Sequence, residues 1–291
     1  MAAKQRGQQR MTRLRISFSG GGFIGAFHVG ACEALLQAGA MSRVGHIAGA
    51  SAGALVGAVL ISETPLNVAR AALSQLAASA RQAGPLGMLT PGSSIVDDVR
   101  NHLCEHMPSD AHQRAAGKLH VALTSLRSVD LGSTHFKSEF ASRDELIATV
   151  SASCDVPGVT GRLRATSTAP AAADATALQR WLRRTDIDGG LNNLFPDPWR
   201  GSEESDVVFV SPFAGAGFAV APRHEEGTSA VPSWSPIAPS KHGRSVDLSR
   251  ANVKRWSHAF FPPPDDVLRA YEREGFDLCL AWMAKNQNAR L

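Results

Sequence analysis

The sequence predicts an α/β protein built on a mainly parallel central sheet, and three observations predict it. A run of alternating apolar and small polar residues, LRISFS after Arg13, passes straight into the glycine loop GGGFIG (20–25). Helical apolar spacing in AFHVGACEALLQAGA follows, closed at Gly39. The pattern then repeats: VGHIA (44–48) reads as a short buried strand, GASAG (49–53) as a tight turn and ALVGAVLIS (54–62) as the start of a helix. Two consecutive strand, turn, helix units need a parallel sheet, because a crossover returns the second strand alongside the first. The third observation is size. A chain of 291 residues, 44% hydrophobic and 19% charged, can bury a large core without disulfides.

The remaining elements follow from local signals. Thr64 and Pro65 fit an N-cap and first helical position for a helix running to about Ala80. GPLGMLTPGSS (84–94) reads as a loop and IVDDVRNHLCEHM (95–107) as an amphipathic helix. KLHVALTSL (118–126) and DLGSTHF (130–136) are strand candidates. Ser142 with Glu145 predicts a capping box for the helix 144–153. Residues 165–177, ATSTAPAAADATA, are low-complexity and read as an insertion. IDGG (187–190) ends a short strand in a turn, and DVVFVSPF (206–213) is the most strand-like run of all. Residues 222–243 read as a surface loop, with helices at 248–259 and 264–285. No linker divides the chain, so one domain is expected over 13–286, preceded by a flexible basic leader, 1–12.

The formal charge of +4 is carried mostly at the start of the chain, since Lys4, Arg6, Arg10, Arg13 and Arg15 all precede the first acid, Glu33. A solvated tail is the expected reading, and no nucleic-acid partner is expected. Residues 1–12 show no apolar core beside the bases, so no signal peptide is read and a cytoplasmic location is expected. The uncharged stretch 44–62 imitates a membrane span, but its four glycines, His46 and two serines make it too weakly apolar for one. Cys32, Cys104, Cys154 and Cys279 lie far apart without a C-x-x-C pair, and no histidine pair is read at metal-ligand spacing. No metal site is therefore expected.

The chemistry centres on Gly49-Ala50-Ser51-Ala52-Gly53, a G-x-S-x-G turn between a strand and a helix, where Ser51 projects its hydroxyl at the helix N-terminus. Backbone N–H groups of the first glycine loop, Gly21 and Gly22 above all, can cradle an oxyanion. The same loop, Gly20-x-Gly22-x-x-Gly25, matches a dinucleotide fingerprint. That reading wants an acid about 20 residues onward, and none stands between Glu33 and Glu63. Among possible bases for the serine, Asp188 is the best placed, at a strand end before Gly189 and Gly190. Partial burial would raise its pKa toward that of a useful base, although D-G could equally mark a hairpin turn. His28, His46, His120 and His135 sit in apolar or strand-like surroundings and read as structural.

GGGFIG with FHVG behind it, GASAG and DGG together resemble the patatin-like phospholipase family, within it the adipose triglyceride lipase and adiponutrin branch. HFKSEFASRDELI, VFVSPFAG and HAFFPPPDDVL resemble that branch in the same order, so the likeness spans about 14–285. The resemblance implies a three-layer α/β/α fold and a Ser–Asp dyad, with Ser51 as nucleophile and Asp188 as its activating partner. Gly20, Gly21 and Gly22 would line the oxyanion hole, and Asn193 matches the asparagine that follows the DGG turn. It further implies fatty-acyl esters of glycerolipids as substrates, triacylglycerol among them, and a lipid-droplet or membrane surface as a peripheral partner. No cofactor is implied, and a protein co-activator is unspecified. Two alternatives stay open: a transacylase using the same site, and a catalytically degenerate lipid-surface regulator. No long hydrophobic region follows the last helix, which puts droplet targeting in doubt.

Overall fold

The computed structural model describes residues 13–82, 95–125, 133–156, 186–201, 207–223, 228–230 and 244–287. The expected leader, the loop 84–94, the insertion 165–177 and most of 222–243 lie outside the described residues. The central sheet is mainly parallel, as expected. Strands β1 (Leu14–Phe18), β2 (Val44–Gly49), β3 (Leu119–Ser125) and β6 (Val207–Val210) run parallel, and β4 (Thr134–Lys137) closes one edge antiparallel in the order β4-β3-β2-β1-β6. A three-residue strand, β5 (Asp186–Asp188), pairs antiparallel with the last residues of β3. A separate two-stranded ribbon joins β7 (Gly215–Ala216) to β8 (Ser245–Val246).

Helix α1 (Ala26–Gln37) links β1 to β2. Between β2 and β3 stand α2 (Ala52–Ile61), α3 (Leu66–Gln82), α4 (Ile95–His106) and α5 (Ala111–Ala115). Helix α6 (Arg143–Ser153) follows β4, and α7 (Arg250–Phe260) and α8 (Asp265–Gln287) come last. Every residue of α2 from Ala52 to Leu60 is buried, which is why its sequence is apolar all round instead of striped. The uncharged stretch 44–62 is thus a core strand and a core helix. No helix among the described residues is long and apolar enough to cross a membrane.

Close approach sets where α2 lies. A Cβ added at Gly57 would stand 2.9 Å from Ile47 Cγ2 and 3.4 Å from Leu119 Cδ1, so the helix rests directly on β2 and β3. Caps define the other ends. Ser142 accepts the Glu145 N–H at 3.1 Å as expected, while the Glu145 carboxylate reaches the Ala141 N–H at 2.6 Å. The α3 helix begins at Leu66, and Thr64 shares its hydroxyl with Ser62 at 2.8 Å instead of capping it. On the opposite face of the sheet lie Arg15, His46 and His120 around Trp199, with the Trp199 and His120 rings 5.2 Å apart. The Ser17 hydroxyl donates to the Pro196 carbonyl there, and Arg244 stacks over Phe209 at 3.8 Å.

Helices α1 and α8 cross backbone to backbone. A Cβ at Gly30 would lie 1.8 Å from the Glu272 carbonyl oxygen, and one at Gly275 would lie 2.0 Å from that of Phe27. Arg70 of α3 ties the pair together, donating to Glu33 at 2.8 Å and to Glu272 at 2.7 Å. Gly30→Ala should therefore force the helices apart and lower stability by about 1–3 kcal/mol. Urea denaturation should show the midpoint falling, and an unchanged midpoint would contradict the close crossing.

Candidate active site

Ser51 sits between β2 and α2 with φ 53 and ψ −125, one of two non-glycine residues at positive φ among those described. Such a conformation costs on the order of 1–3 kcal/mol and persists only where its surroundings enforce it. Two glycines make room for the turn. A Cβ at Gly49 would fall 2.5 Å from the Gly53 carbonyl oxygen, and one at Gly53 would fall 2.5 Å from the carbonyls of Phe18 and Ser19. The Ser51 carbonyl accepts the first α2 amides, from Ala54 at 2.9 Å and Leu55 at 3.1 Å. Its N–H donates to the Ser153 hydroxyl at 3.0 Å, and Ser153 donates onward to the Ala122 carbonyl at 2.8 Å. Ser153 is fully buried at the end of α6. It carries no motif, and no sequence signal could have linked it to Ser51.

Asp188 reaches the same place through the sheet. On one edge of β3, Gly49 of β2 pairs with Val121 and Asp188 of β5 pairs with Leu123. Strand β4 occupies the other edge over 121–124, so β5 continues where β2 stops. Two residues of rise, about 7 Å, separate those registers, which brings the Asp188 side chain beside the turn at Ser51. The Asp188 backbone is held by its N–H donating to the Asp155 carbonyl at 3.0 Å and by the Thr124 hydroxyl donating to its carbonyl at 2.8 Å. Asp-Gly is no hairpin turn here, because a 3-10 turn, Gly189–Leu191, carries the chain onward.

The Asp188 carboxyl is 5% exposed, and burial pushes its pKa up to about 7. The nearby Ser51 hydroxyl and the Gly190 N–H, which donates to its Oδ1 at 2.6 Å, pull it back down, while the nearby Asp155 charge pushes it up. Cys154 lines the same space, and burial with the two aspartates drives its thiol far above the usual range, so it stays protonated.

The glycine loop closes the third side. Gly22 has φ 52, and a Cβ there would fall 2.2 Å from the Ala259 carbonyl oxygen. Among the described residues, the N–H groups of Gly21 and Gly22 have no backbone partner, whereas the Gly20 N–H donates to the Leu194 carbonyl at 3.0 Å. Gly20 is therefore corrected from oxyanion donor to loop anchor, since its amide is already engaged. Gly25 permits packing onto Ala52, 2.8 Å from where its Cβ would stand. Asn193 contributes its N–H to the Gly189 carbonyl at 2.9 Å. Beneath the loop, fully buried His28 places Nε2 2.9 Å from the Ser19 carbonyl, and burial lowers its pKa to about 4. It is neutral at pH 7, and the carbonyl acceptor puts its proton on Nε2.

Ser51, Asp188, Cys154 and the loop glycines 20–22 line one cavity of about 200 Å³. Its other walls include Phe23, Leu55, Leu73, Leu76, Val99 and Trp256, so a few polar groups stand in an otherwise apolar chamber. His46, His120 and His135 stand elsewhere. His46 Nδ1 meets the Gly117 carbonyl at 3.1 Å, His120 packs on Trp199, and His135 meets Asp186 at 3.1 Å. One sequence expectation fails outside the cavity: His102 and His106 stand four residues apart on α4 and, with Glu105, do form a group at metal-ligand spacing.

A patatin-like phospholipase family model matches residues 16–196, which span both Ser51 and Asp188. Patatin-like phospholipase domain-containing protein 2 of Rattus norvegicus is 30% identical over 280 residues, covering 95% of this chain and 52% of the relative. Patatin-like phospholipase domain-containing protein 4 of Homo sapiens is 28% identical, with 94% of this chain and 98% of the relative covered. The omega-hydroxyceramide transacylase of Homo sapiens is 29% identical over 93% of this chain and 46% of its own length. The chain thus spans about half the length of some curated relatives and nearly all of another. With more than half of its length under the family model, this chain belongs to the patatin-like phospholipase family.

Proposed function

We propose that this protein is a serine acyl hydrolase acting on fatty-acyl esters of glycerolipids through Ser51 and Asp188. The observation that carries the reading is a strained serine and a buried carboxylate that together line one largely apolar cavity. An acyl chain lies against Phe23, Leu73 and Trp256 while the ester carbonyl meets Ser51. Ser51 Oγ attacks the carbonyl carbon as Asp188 takes the hydroxyl proton, and the N–H groups of Gly21 and Gly22 hold the oxyanion. The ester C–O bond then breaks and Asp188 returns the proton to the departing alcohol. Water attacks the acyl-serine, again deprotonated by Asp188, and the fatty acid leaves as Ser51 regains its proton. Both half-reactions balance without a cofactor.

A second reading differs only in the acceptor. The transacylase among the relatives favours it, since an alcohol replacing water in the deacylation half would conserve every residue role. Product analysis of a triacylglycerol reaction with added diacylglycerol separates the two. Free fatty acid as the main product supports hydrolysis, and re-esterified glyceride supports transfer. A degenerate, purely lipid-binding protein would show neither product. It would also leave Ser51 unlabelled by a fluorophosphonate probe.

Ser51→Ala should abolish both probe labelling and ester hydrolysis, and full activity in that variant would refute the assignment. Asp188 acts as base only when ionised, so kcat/KM should rise about tenfold per pH unit below pH 7 and level off above it. A flat profile from pH 5 to 8 would exclude this carboxylate as the base. The linked effect on stability has the opposite sense. Because the folded-state pKa is raised, the stability that protonated Asp188 provides is lost as pH rises through about 7. Asp188→Asn should therefore gain in melting temperature relative to the parent, by more at pH 8 than at pH 5. Ser153→Ala removes the acceptor for the Ser51 N–H, and kcat should drop at least about tenfold with KM nearly unchanged. A normal rate of fluorophosphonate labelling in that variant would show that Ser153 does not position the nucleophile.

A further inference from the structure

We propose that His102, Glu105 and His106 form a surface site for a divalent transition cation of the Zn²⁺ class, separate from the acyl chemistry. The three residues lie in the last turn of α4, and their donor atoms stand within 4.8 Å of one another. Residues four apart share a helix face, and the two imidazoles stack with centroids 4.4 Å apart. Donors around a tetrahedral Zn²⁺ lie about 3.3 Å from each other, so small side-chain rotations close the set.

Hydrogen bonding has already selected the tautomer of each ring. His102 Nε2 lies 2.9 Å from the Val68 carbonyl, and His106 Nδ1 lies 2.9 Å from the His102 carbonyl. A carbonyl oxygen only accepts, so each of those nitrogens carries the proton. The Nδ1 of His102 and the Nε2 of His106 are then left with their lone pairs. A backbone acceptor on the non-ligating nitrogen is the usual support of metal-binding histidines, since it fixes both tautomer and ring orientation. The placement also suits a cation, because the C-terminal turn of a helix concentrates carbonyl dipoles. Arg143 takes up one of these, donating to the Cys104 carbonyl.

Two imidazoles and one carboxylate match a borderline cation such as Zn²⁺, with water completing the shell, and not the all-oxygen preference of Mg²⁺ or Ca²⁺. The position gives the site a structural consequence. His102 binds the α3 backbone at Val68, and Leu73 and Leu76 of α3, with Val99 of α4, line the cavity. A bound cation would hold the end of α4 in the geometry that joins these two walls.

The test is titration of the full-length, tag-free protein with ZnCl₂ by calorimetry, beside His106→Gln, Glu105→Gln and a control, His258→Gln. One equivalent should bind the parent and the control alike. His106→Gln should weaken that binding at least tenfold, and Glu105→Gln should weaken it less. Zinc X-ray absorption of the parent should show two imidazoles in the first shell. Absence of stoichiometric binding, equal binding to His106→Gln, or a shell without two imidazoles would each overturn the proposal. Circular dichroism of the variants separates loss of the site from loss of the fold. Fluorophosphonate labelling of Ser51 should persist in His106→Gln, so this outcome and that of the acyl-hydrolase reading are distinguishable.

Discussion

The antiparallel pairing of Asp186, Ile187 and Asp188 with Ser125, Thr124 and Leu123 is the interaction on which the site depends. It extends one edge of β3 beyond the end of β2 and so delivers a carboxylate to the turn that β2 has just made. Gly189 then passes so close to β3 that a Cβ would lie 2.2 Å from the Ala122 carbonyl oxygen. That same carbonyl receives the Ser153 hydroxyl, and Ser153 in turn holds the Ser51 amide. Ser51 and the Asp188 carboxylate are therefore referenced to one stretch of rigid strand instead of to two independent loops. The segment goes on to bind the Gly20 amide through Leu194 and to cover the far face of the sheet with Pro196 and Trp199.

The site concentrates unfavourable energies that the core has to offset. Raising a carboxyl pKa from 3.8 to about 7 corresponds to about 4 kcal/mol of penalty on its ionised form. The Ser51 backbone adds on the order of 1–3 kcal/mol of strain. Neither would survive on a loose scaffold. Around them stand an α2 buried from Ala52 to Leu60, a backbone-to-backbone crossing of α1 with α8, and a neutral His28 bonded beneath the glycine loop. Rigidity and chemistry are coupled here: the low-dielectric surroundings that make the carboxylate costly to ionise also make it a stronger base.

Some features escaped a reading of the residues for identifiable reasons. Gly20, Gly21 and Gly22 look alike in sequence, yet the carbonyl that engages the first of them belongs to Leu194, far along the chain. Ser153 acts through contacts across the core and carries no pattern of its own. The histidine pair on α4 is different, because a spacing of four on a predicted helix is legible. It was masked by the amphipathic pattern in which both rings could pass for solvated face residues.

By itself the sequence offered Ser51 and Asp188 as candidates, and it determined the parallel α/β class, the strand-turn-helix context of Ser51 and the capping box at Ser142. Each of these rests on short-range rules: glycine where backbones touch, alternation in strands, a hydroxyl at a helix start. Only the tertiary structure decided how far apart the candidates stand, which loop amides are left unengaged and how strongly Asp188 is desolvated. Those quantities depend on strand register and on side chains brought together from distant parts of the chain, and neither is encoded within a local window.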